Sequence, residues 1–327
     1  MRPLKATINH QALSSNYNYI KKIANKSKVM SVLKANAYGH NLLDVAKTLK
    51  MSDGFAVLSI EEAILLRNNG FNQIILLLEG LFDKEEVNIA SKLGINITVH
   101  NHRQIDLINQ IKPTSPVSIH LKINTGMNRL GFVPNEIDYL LESLNSNPYI
   151  EDIILMTHFA TADEKEGINK QFKVFNQIAD KYNYPASVAN SAALIKFPES
   201  RLDWVRPGIM LYGLSPFEDK TAKDLELIPA MSLTSEIIAI QDIKSGDSVG
   251  YGMDFIAKKN MKIGVVACGY ADGYPRHAKK GTPIAIDDHQ TSLFGRVSMD
   301  MLYVDLSNIP DAKIGSKVEL WGENISV

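Results

Sequence analysis

Short apolar runs, separated by helix-length amphipathic stretches, recur through the first two thirds of this chain, and that alternation restricts the fold more than any other feature. Eight runs stand out, at 29–33, 55–58, 74–78, 95–99, 117–123, 153–156, 186–189 and around 204–211. Short apolar runs bounded by turn residues read as buried strands. Helical stretches lie between most of them, at 42–50, 60–69, 84–93, 103–111, 136–144 and 167–182. In the first of these, Leu42, Leu43, Val45, Ala46 and Leu49 recur with a period of about 3.6 residues. Gly70 and Gly94 fall where helix stops are expected. Eightfold strand–helix alternation predicts a (β/α)8 barrel of the TIM type; a doubly wound open sheet is the alternative the same pattern allows.

The pattern changes after about residue 220. Asp219-Lys220-Thr221-Ala222-Lys223-Asp224 is a polar join. Beyond it, β-like runs at 232–240, 248–251, 262–268, 282–286, 291–294 and 301–306 are broken by turn residues. Helical periodicity is absent, so residues 222–327 read as an all-β domain following a barrel over 9–221. The last residues, 317–327, look like a strand and turn without a finished edge, so this domain reads as stopping short at its C-terminus.

Composition excludes several function classes. With 35 Lys and Arg against 36 Asp and Glu, the net charge is -1, which gives no electrostatic footprint for nucleic acid or an anionic membrane. No apolar stretch reaches the length of a membrane span, and Met1 to Thr7 lacks the apolar core of a signal peptide. The single cysteine, Cys268, has no intrachain partner and fits a reducing cytoplasm. Lying in an apolar run, it reads as a buried, inert thiol. The eight histidines show no metal-ligand spacing, and His100 and His102 read as surface residues. Neither a dinucleotide-binding fingerprint nor a Gly-x-Ser-x-Gly elbow is present.

Chemistry-bearing residues collect where the expected strands end, which is where barrels build their active sites. Lys34 follows the first run, in Val32-Leu33-Lys34-Ala35-Asn36-Ala37-Tyr38-Gly39-His40. Lys122, Asn124 and Arg129 lie at or after the fifth, His158 after the sixth, Asn190 and Ser191 after the seventh, and Arg206 and Gly208 within the eighth. Taken singly, each has an ordinary structural explanation: a satisfied histidine, a helix cap, a surface ion pair. Asn190-Ser191-Ala192-Ala193 sets a hydroxyl at a helix start, and Gly208-Ile209 offers backbone N–H groups without bulk. Barrels often hold a phosphate after strands seven and eight. A lysine beside such a seat points to pyridoxal 5′-phosphate held as a Schiff base.

Together these segments resemble one family closely: the bacterial alanine racemases, in their shorter proteobacterial form. The resemblance is carried by 32–40, 121–132, 190–193, 205–213, Val249-Gly250-Tyr251-Gly252, Gly269-Tyr270-Ala271-Asp272-Gly273-Tyr274-Pro275-Arg276 and Val297-Ser298-Met299-Asp300-Met301. It covers nearly the whole chain, although the family normally continues some tens of residues further. It implies interconversion of L- and D-alanine, with D-alanine feeding peptidoglycan synthesis. It also implies a pyridoxal-phosphate barrel, a β domain that takes in residues 1–8, and a head-to-tail homodimer with shared active sites. Lys34 would carry the cofactor and act as one proton carrier; Tyr251 of the partner subunit would be the other. Removing a proton from one face of Cα and returning it to the other needs acid–base groups on opposite faces. Arg129, with Met299, Tyr270 and Asp300 from the partner, would seat the substrate. Tyr38, Ser191, Gly208 and Ile209 would hold the phosphate, beside Asn190. Arg206 would face the ring nitrogen with His158 behind it, and Lys122 is the position that can carry a carbamate. The rivals are a broader-specificity racemase, a weakened truncated one, another pyridoxal-phosphate barrel enzyme such as a decarboxylase, and a non-enzymatic cofactor carrier.

Overall fold

In the computed structural model, residues 2–326 are described, and the chain divides into two units. One is His10–Ile228; the other combines the residues up to Asn9 with those from Pro229 onward. The first strand, β1 (Lys5–Ile8), belongs to the second unit, and α1 (His10–Ala24) opens the first. Although α1 was not among the helical stretches above, its buried stripe of Leu13, Tyr17, Ile20 and Ala24 is an amphipathic face.

The barrel unit then alternates. Its strands are β2 (Lys28–Val32), β3 (Gly54–Val57), β4 (Ile74–Leu77), β5 (Asn96–Val99), β6 (Val117–Lys122), β7 (Ile150–Met156), β8 (Ala186–Ser187) and β9 (Trp204–Val205). All eight pair in parallel and in sequence order, and the ring closes where Lys28 and Val29 of β2 meet Trp204 and Val205 of β9. That closure removes the open-sheet alternative. A short segment, α2 (Lys34–Tyr38), follows β2; the surrounding helices are α3 (Leu42–Thr48), α4 (Ile60–Asn68), α5 (Lys84–Leu93), α6 (His102–Ile111), α7 (Ile137–Asn145), α8 (Asn169–Ala179) and α9 (Ser191–Lys196). Gly94 ends α5 in the left-handed conformation, at φ 59°, as its position in the sequence implies.

Two expectations are adjusted. The eighth run is a strand only at Trp204 and Val205; Pro207-Gly208 ends it, and Ile209–Tyr212 forms a 3₁₀ turn. The units divide after Ile228, not at the polar join near 221. Asn16, fully buried on α1, supplies the reason: its side-chain amide donates to the carbonyls of Leu211 (3.0 Å) and Ile228 (2.8 Å) and accepts from the Ile228 N–H (2.9 Å). Leu225 and Leu227 are buried as well.

The second unit continues with β10 (Met231–Ile243), β11 (Ser248–Val249), β12 (Phe255–Ile256), β13 (Met261–Val266), β14 (Pro283–Ile286), β15 (His289–Phe294), β16 (Leu302–Asp305) and β17 (Lys317–Trp321). Seven of its strands form one antiparallel sheet in the order β1-β10-β13-β16-β15-β14-β17, and β17 returns to pair with β10. The 317–321 strand is therefore hydrogen-bonded on both sides, to β14 and β10, and presents no open edge there. Ile237, Val266, Cys268, Ile284, Leu293, Val304 and Val318 fill the interior. Among the described residues no helix is long and apolar enough to cross a membrane.

Candidate active site

The mouth of the barrel at the strand C-termini holds a cavity of about 590 Å³. Its wall begins at the end of β2. Leu33 N–H donates to the Ala56 carbonyl (2.8 Å), and the chain then makes a turn of the wrong hand. Ala35, Asn36 and Ala37 have φ of 53–55° and ψ of 47–53°, and Tyr38 has φ 55°. Four consecutive residues other than glycine in this region are rare, because each Cβ crowds the following carbonyl at roughly 1–2 kcal/mol. The turn delivers Lys34 and Tyr38 to the same cavity.

Tyr38 stacks on Tyr212, with centroids 4.6 Å apart, and Tyr212 Oη donates to the Val32 carbonyl (2.9 Å). Burial raises the Tyr38 hydroxyl above the usual tyrosine range, so it remains a donor. Beside it, Gly208 leaves Tyr38 its place: a Cβ there would stand 2.6 Å from Tyr38 Oη, so the ring would have to shift. Gly208 N–H donates to Ser191 Oγ (3.0 Å), which leaves the serine O–H free to donate into the cavity. Asn190 caps α9 by accepting from the Ala193 N–H (2.9 Å). Ile209 follows on the same wall.

Another part of the lining is cationic. Arg206 is buried; it donates to Ser187 Oγ (2.6 Å) and the Thr157 carbonyl (2.7 Å), and His158 Nδ1 lies 3.5 Å from it. Burial lowers the guanidinium to about 10, which leaves it charged at neutral pH. Burial, reinforced by Arg206, drives His158 down to about 3, so its ring is neutral. Lys122, at the end of β6, is pulled down to about 8 by burial and by Arg206, Arg129 and Lys34, with Glu79 opposing. Asn124 folds the following loop by accepting from the N–H groups of Gly126 (3.1 Å) and Asn128 (3.0 Å), and Arg129 reaches the cavity from that loop.

The barrel thus brings together Lys34, Tyr38, Lys122, Arg129 and His158 with Asn190, Ser191, Arg206, Gly208 and Ile209. The remaining four residues lie in the other unit. Tyr251 is 73% exposed on a 3₁₀ turn (Tyr251–Met253) between β11 and β12. Tyr270 and Met299 sit on adjoining segments, joined where Tyr270 N–H donates to the Ser298 carbonyl (3.0 Å) and Ala271 N–H to that of Met299 (2.8 Å). Asp300 is exposed next to Met299, and its carbonyl accepts from Arg2.

Some contributors escape sequence reasoning. Tyr212 reads as one more core aromatic. Glu62 reads as a helix-start glutamate after Ser59, a role that hides its second contact with the Lys34 turn. His100 corrects a surface reading: it is half-buried on the cavity wall, with Nε2 2.9 Å from the Glu79 carbonyl. Among the described residues no group of three or more His, Cys, Asp or Glu could hold a metal.

This constellation can seat a phosphate on hydroxyl and backbone donors, present an amine, and hold a fixed cation deep in the barrel. A family model described as alanine racemase, N-terminal domain, matches residues 8–216, and one described as alanine racemase, C-terminal domain, matches 230–327. The chain is 48% identical to an alanine racemase of Nitrosomonas eutropha and 47% identical to one of Nitrosospira multiformis, in each case over 100% of this chain and 92% of the relative. The crystal structure of a biosynthetic alanine racemase from Pseudomonas aeruginosa superposes with a TM-score of 0.98 at 42% identity, covering 100% of this chain and 92% of that one.

Proposed function

This chain belongs to the alanine racemase family and interconverts L- and D-alanine, and we propose that it does so with pyridoxal 5′-phosphate in the barrel cavity, Lys34 serving one face of the substrate Cα and Tyr251 of a second copy the other. The observation that carries this reading is the seat made by Tyr38, Ser191 and Gly208 in the same cavity as Lys34. Its donor set fits the cofactor. Two hydroxyls free to donate flank a position where a Cβ would meet Tyr38 Oη at 2.6 Å, so the seat is kept clear for a bulky anion. An amine and a buried guanidinium, which makes no ion pair among the described residues, complete it.

When bound, pyridoxal phosphate supplies an electron-withdrawing ring that acidifies the Cα proton of an attached amino acid. Tyr38 and Ser191, with the backbone N–H of Ile209, would hold the phosphate; Gly208 keeps the space beside them open and its own N–H steadies Ser191 Oγ, while Asn190 fixes the helix start that carries Ser191. Arg206 would face the ring nitrogen and, keeping its proton at neutral pH, would donate a hydrogen bond there without giving a proton up. The neutral His158 and the Thr157 carbonyl aim the guanidinium. An unprotonated ring nitrogen would limit the electron withdrawal the cofactor supplies and would favour prompt reprotonation over transamination. Arg129 binds the substrate carboxylate. Lys122, lowered to about 8, has an amine available to take up carbon dioxide as a carbamate, which would orient Arg129.

Lys34 takes or returns the Cα proton on its face, and Tyr251 does so on the other. The exposure of Tyr251, Met299 and Tyr270, at 73%, 58% and 38%, supports a head-to-tail homodimer in which these residues and Asp300 close the partner's cavity. We assign the enzyme to the cytoplasm, supplying D-alanine for peptidoglycan.

Purified protein with pyridoxal phosphate is expected to racemise alanine in both directions. Lys34→Ala should lose both the visible absorbance of lysine-bound cofactor and activity; Tyr251→Phe should keep the absorbance and lose turnover. Mixing the two variants should restore activity, because each mixed dimer contains one intact site. Full activity of Tyr251→Phe, or no recovery on mixing, would refute the shared two-base site.

A further inference from the structure

We propose that Glu62 is a positioning residue for Lys34 and Tyr38, holding the left-handed turn between them in shape. The inference rests on the reading above that these two residues receive the cofactor.

The turn cannot hold itself. It contains no glycine before Gly39, and four successive side-chain-bearing residues adopt a backbone that right-handed alternatives outcompete. Such a conformation persists only where surrounding contacts over-determine it. Glu62 makes the contact that joins the backbone in the middle of the turn to the neighbouring strand. One carboxylate oxygen accepts from the Asn36 N–H (2.8 Å), and the other accepts from the Leu58 N–H (2.9 Å), just beyond β3. A single side chain therefore ties the turn to the next strand of the barrel. Leu58 itself lines the cavity, so the tie is made at its rim.

Glu62 is itself held. It lies in the first turn of α4, where its own N–H meets Ser59 Oγ at 3.5 Å, and a carboxylate is favoured at a helix N-terminus. Asn36 passes the hold onward: its Oδ1 accepts from the Leu42 N–H (2.8 Å) at the start of α3. The far end of the turn is fixed by Tyr38 stacking on Tyr212 and by the 2.9 Å contact between His40 Nδ1 and the Tyr38 carbonyl. Both carboxylate oxygens serve as acceptors, which explains why the position needs an acid. Glutamine would keep one acceptor and turn an NH₂ group toward the other N–H.

The experiment compares wild-type holoenzyme with Glu62→Ala, Glu62→Gln and the double variant Glu62→Ala/Ala35→Gly. Ala35 is exposed, so its methyl group has little packing to lose, and glycine relieves one left-handed position. The readouts are amide hydrogen exchange across 34–40, pyridoxal-phosphate affinity after dialysis, and turnover. In Glu62→Ala, exchange in 34–40 should accelerate by roughly tenfold to a hundredfold, with a comparable loss of cofactor affinity and no change in the β2 and β3 amides. Glu62→Gln should fall between, and Ala35→Gly should recover part of both losses. Unchanged exchange at 36–38 would overturn the proposal, as would acceleration spread evenly over the barrel that Ala35→Gly fails to reverse. If the wild type neither bound pyridoxal phosphate nor racemised alanine, the cofactor reading would fail, and the exchange measurement would still decide whether Glu62 holds the turn.

Discussion

Lys122→Met should make the cofactor-free protein more stable while crippling it as an enzyme. Lys122 is 6% exposed, and among the described residues no ion pair includes it. Its charge is opposed by burial and by Arg206, Arg129 and Lys34, which together pull it from the usual 10.5 to about 8. That depression corresponds to about 3 kcal/mol of destabilisation when the amine is charged. Below pH 8 the amine is protonated both folded and unfolded, so the whole cost is present. Between 8 and 10.5 the folded protein releases the proton and the unfolded chain keeps it, so the cost falls as pH rises. Above 10.5 it is gone. Methionine fills similar space with no charge.

The assay is thermal unfolding by circular dichroism in buffer free of carbon dioxide, on protein dialysed free of pyridoxal phosphate. At pH 7 the variant should melt about 5–10 °C above wild type, and the gap should shrink to less than half by about pH 9.5. Added bicarbonate should also narrow it: a neutral amine that takes up carbon dioxide and releases a proton becomes an anion among three cations. Racemisation should fall sharply, because Arg129 would lose the orienting neighbour proposed for it. A variant no more stable than wild type at pH 7, or a gain independent of pH, would refute the claim that crowded, unpaired cations store energy at this site.

Two further outcomes follow from the same geometry. Gly208→Ala should push Tyr38 Oη off the seat, since the new Cβ would stand 2.6 Å from it; losing one charge-assisted hydrogen bond should weaken pyridoxal-phosphate binding by roughly tenfold to a hundredfold, with equilibrium titration as the check. Cys268 is buried, and burial pushes its thiol up to about 12, so a disulfide-exchange reagent should label it only after unfolding; rapid labelling of the folded protein would contradict that packing.

What could be read in advance depended on how locally each feature is encoded. The alternating strands and helices were legible because apolar runs and helix periods are local patterns; their closure into a ring, rather than an open sheet, is settled by the pairing of β2 with β9. The cavity residues were legible as a group because strand C-termini converge in a barrel, which brings Lys34, Lys122, His158 and Arg206 onto one rim though they are far apart in the chain. The division after Ile228 was not legible, because it is set by Asn16, far back in the sequence, gripping that residue's N–H and carbonyl. The brevity of the last strand was hidden for a different reason: apolar residues continue through Ile209 to Leu211, and only Pro207-Gly208 marks the end of pairing.

The turn after Lys34 shows where local reading fails in principle. Ala35, Asn36, Ala37 and Tyr38 carry almost no preference for positive φ; of the four, only asparagine tolerates it. Read locally, the segment is an ordinary right-handed helix start, and even its hydrogen bonds, such as Ala37 N–H to the Leu33 carbonyl (2.8 Å), have helix-like spacing. The hand is imposed from outside, by Glu62 at one point and the Tyr212 ring at another. A segment whose conformation is fixed by its neighbours can be released by them. On the proposed cofactor reading its strain belongs to the same balance as the binding energy of the cofactor, and a substitution at Glu62 should register in cofactor affinity although Glu62 is assigned no contact with the cofactor.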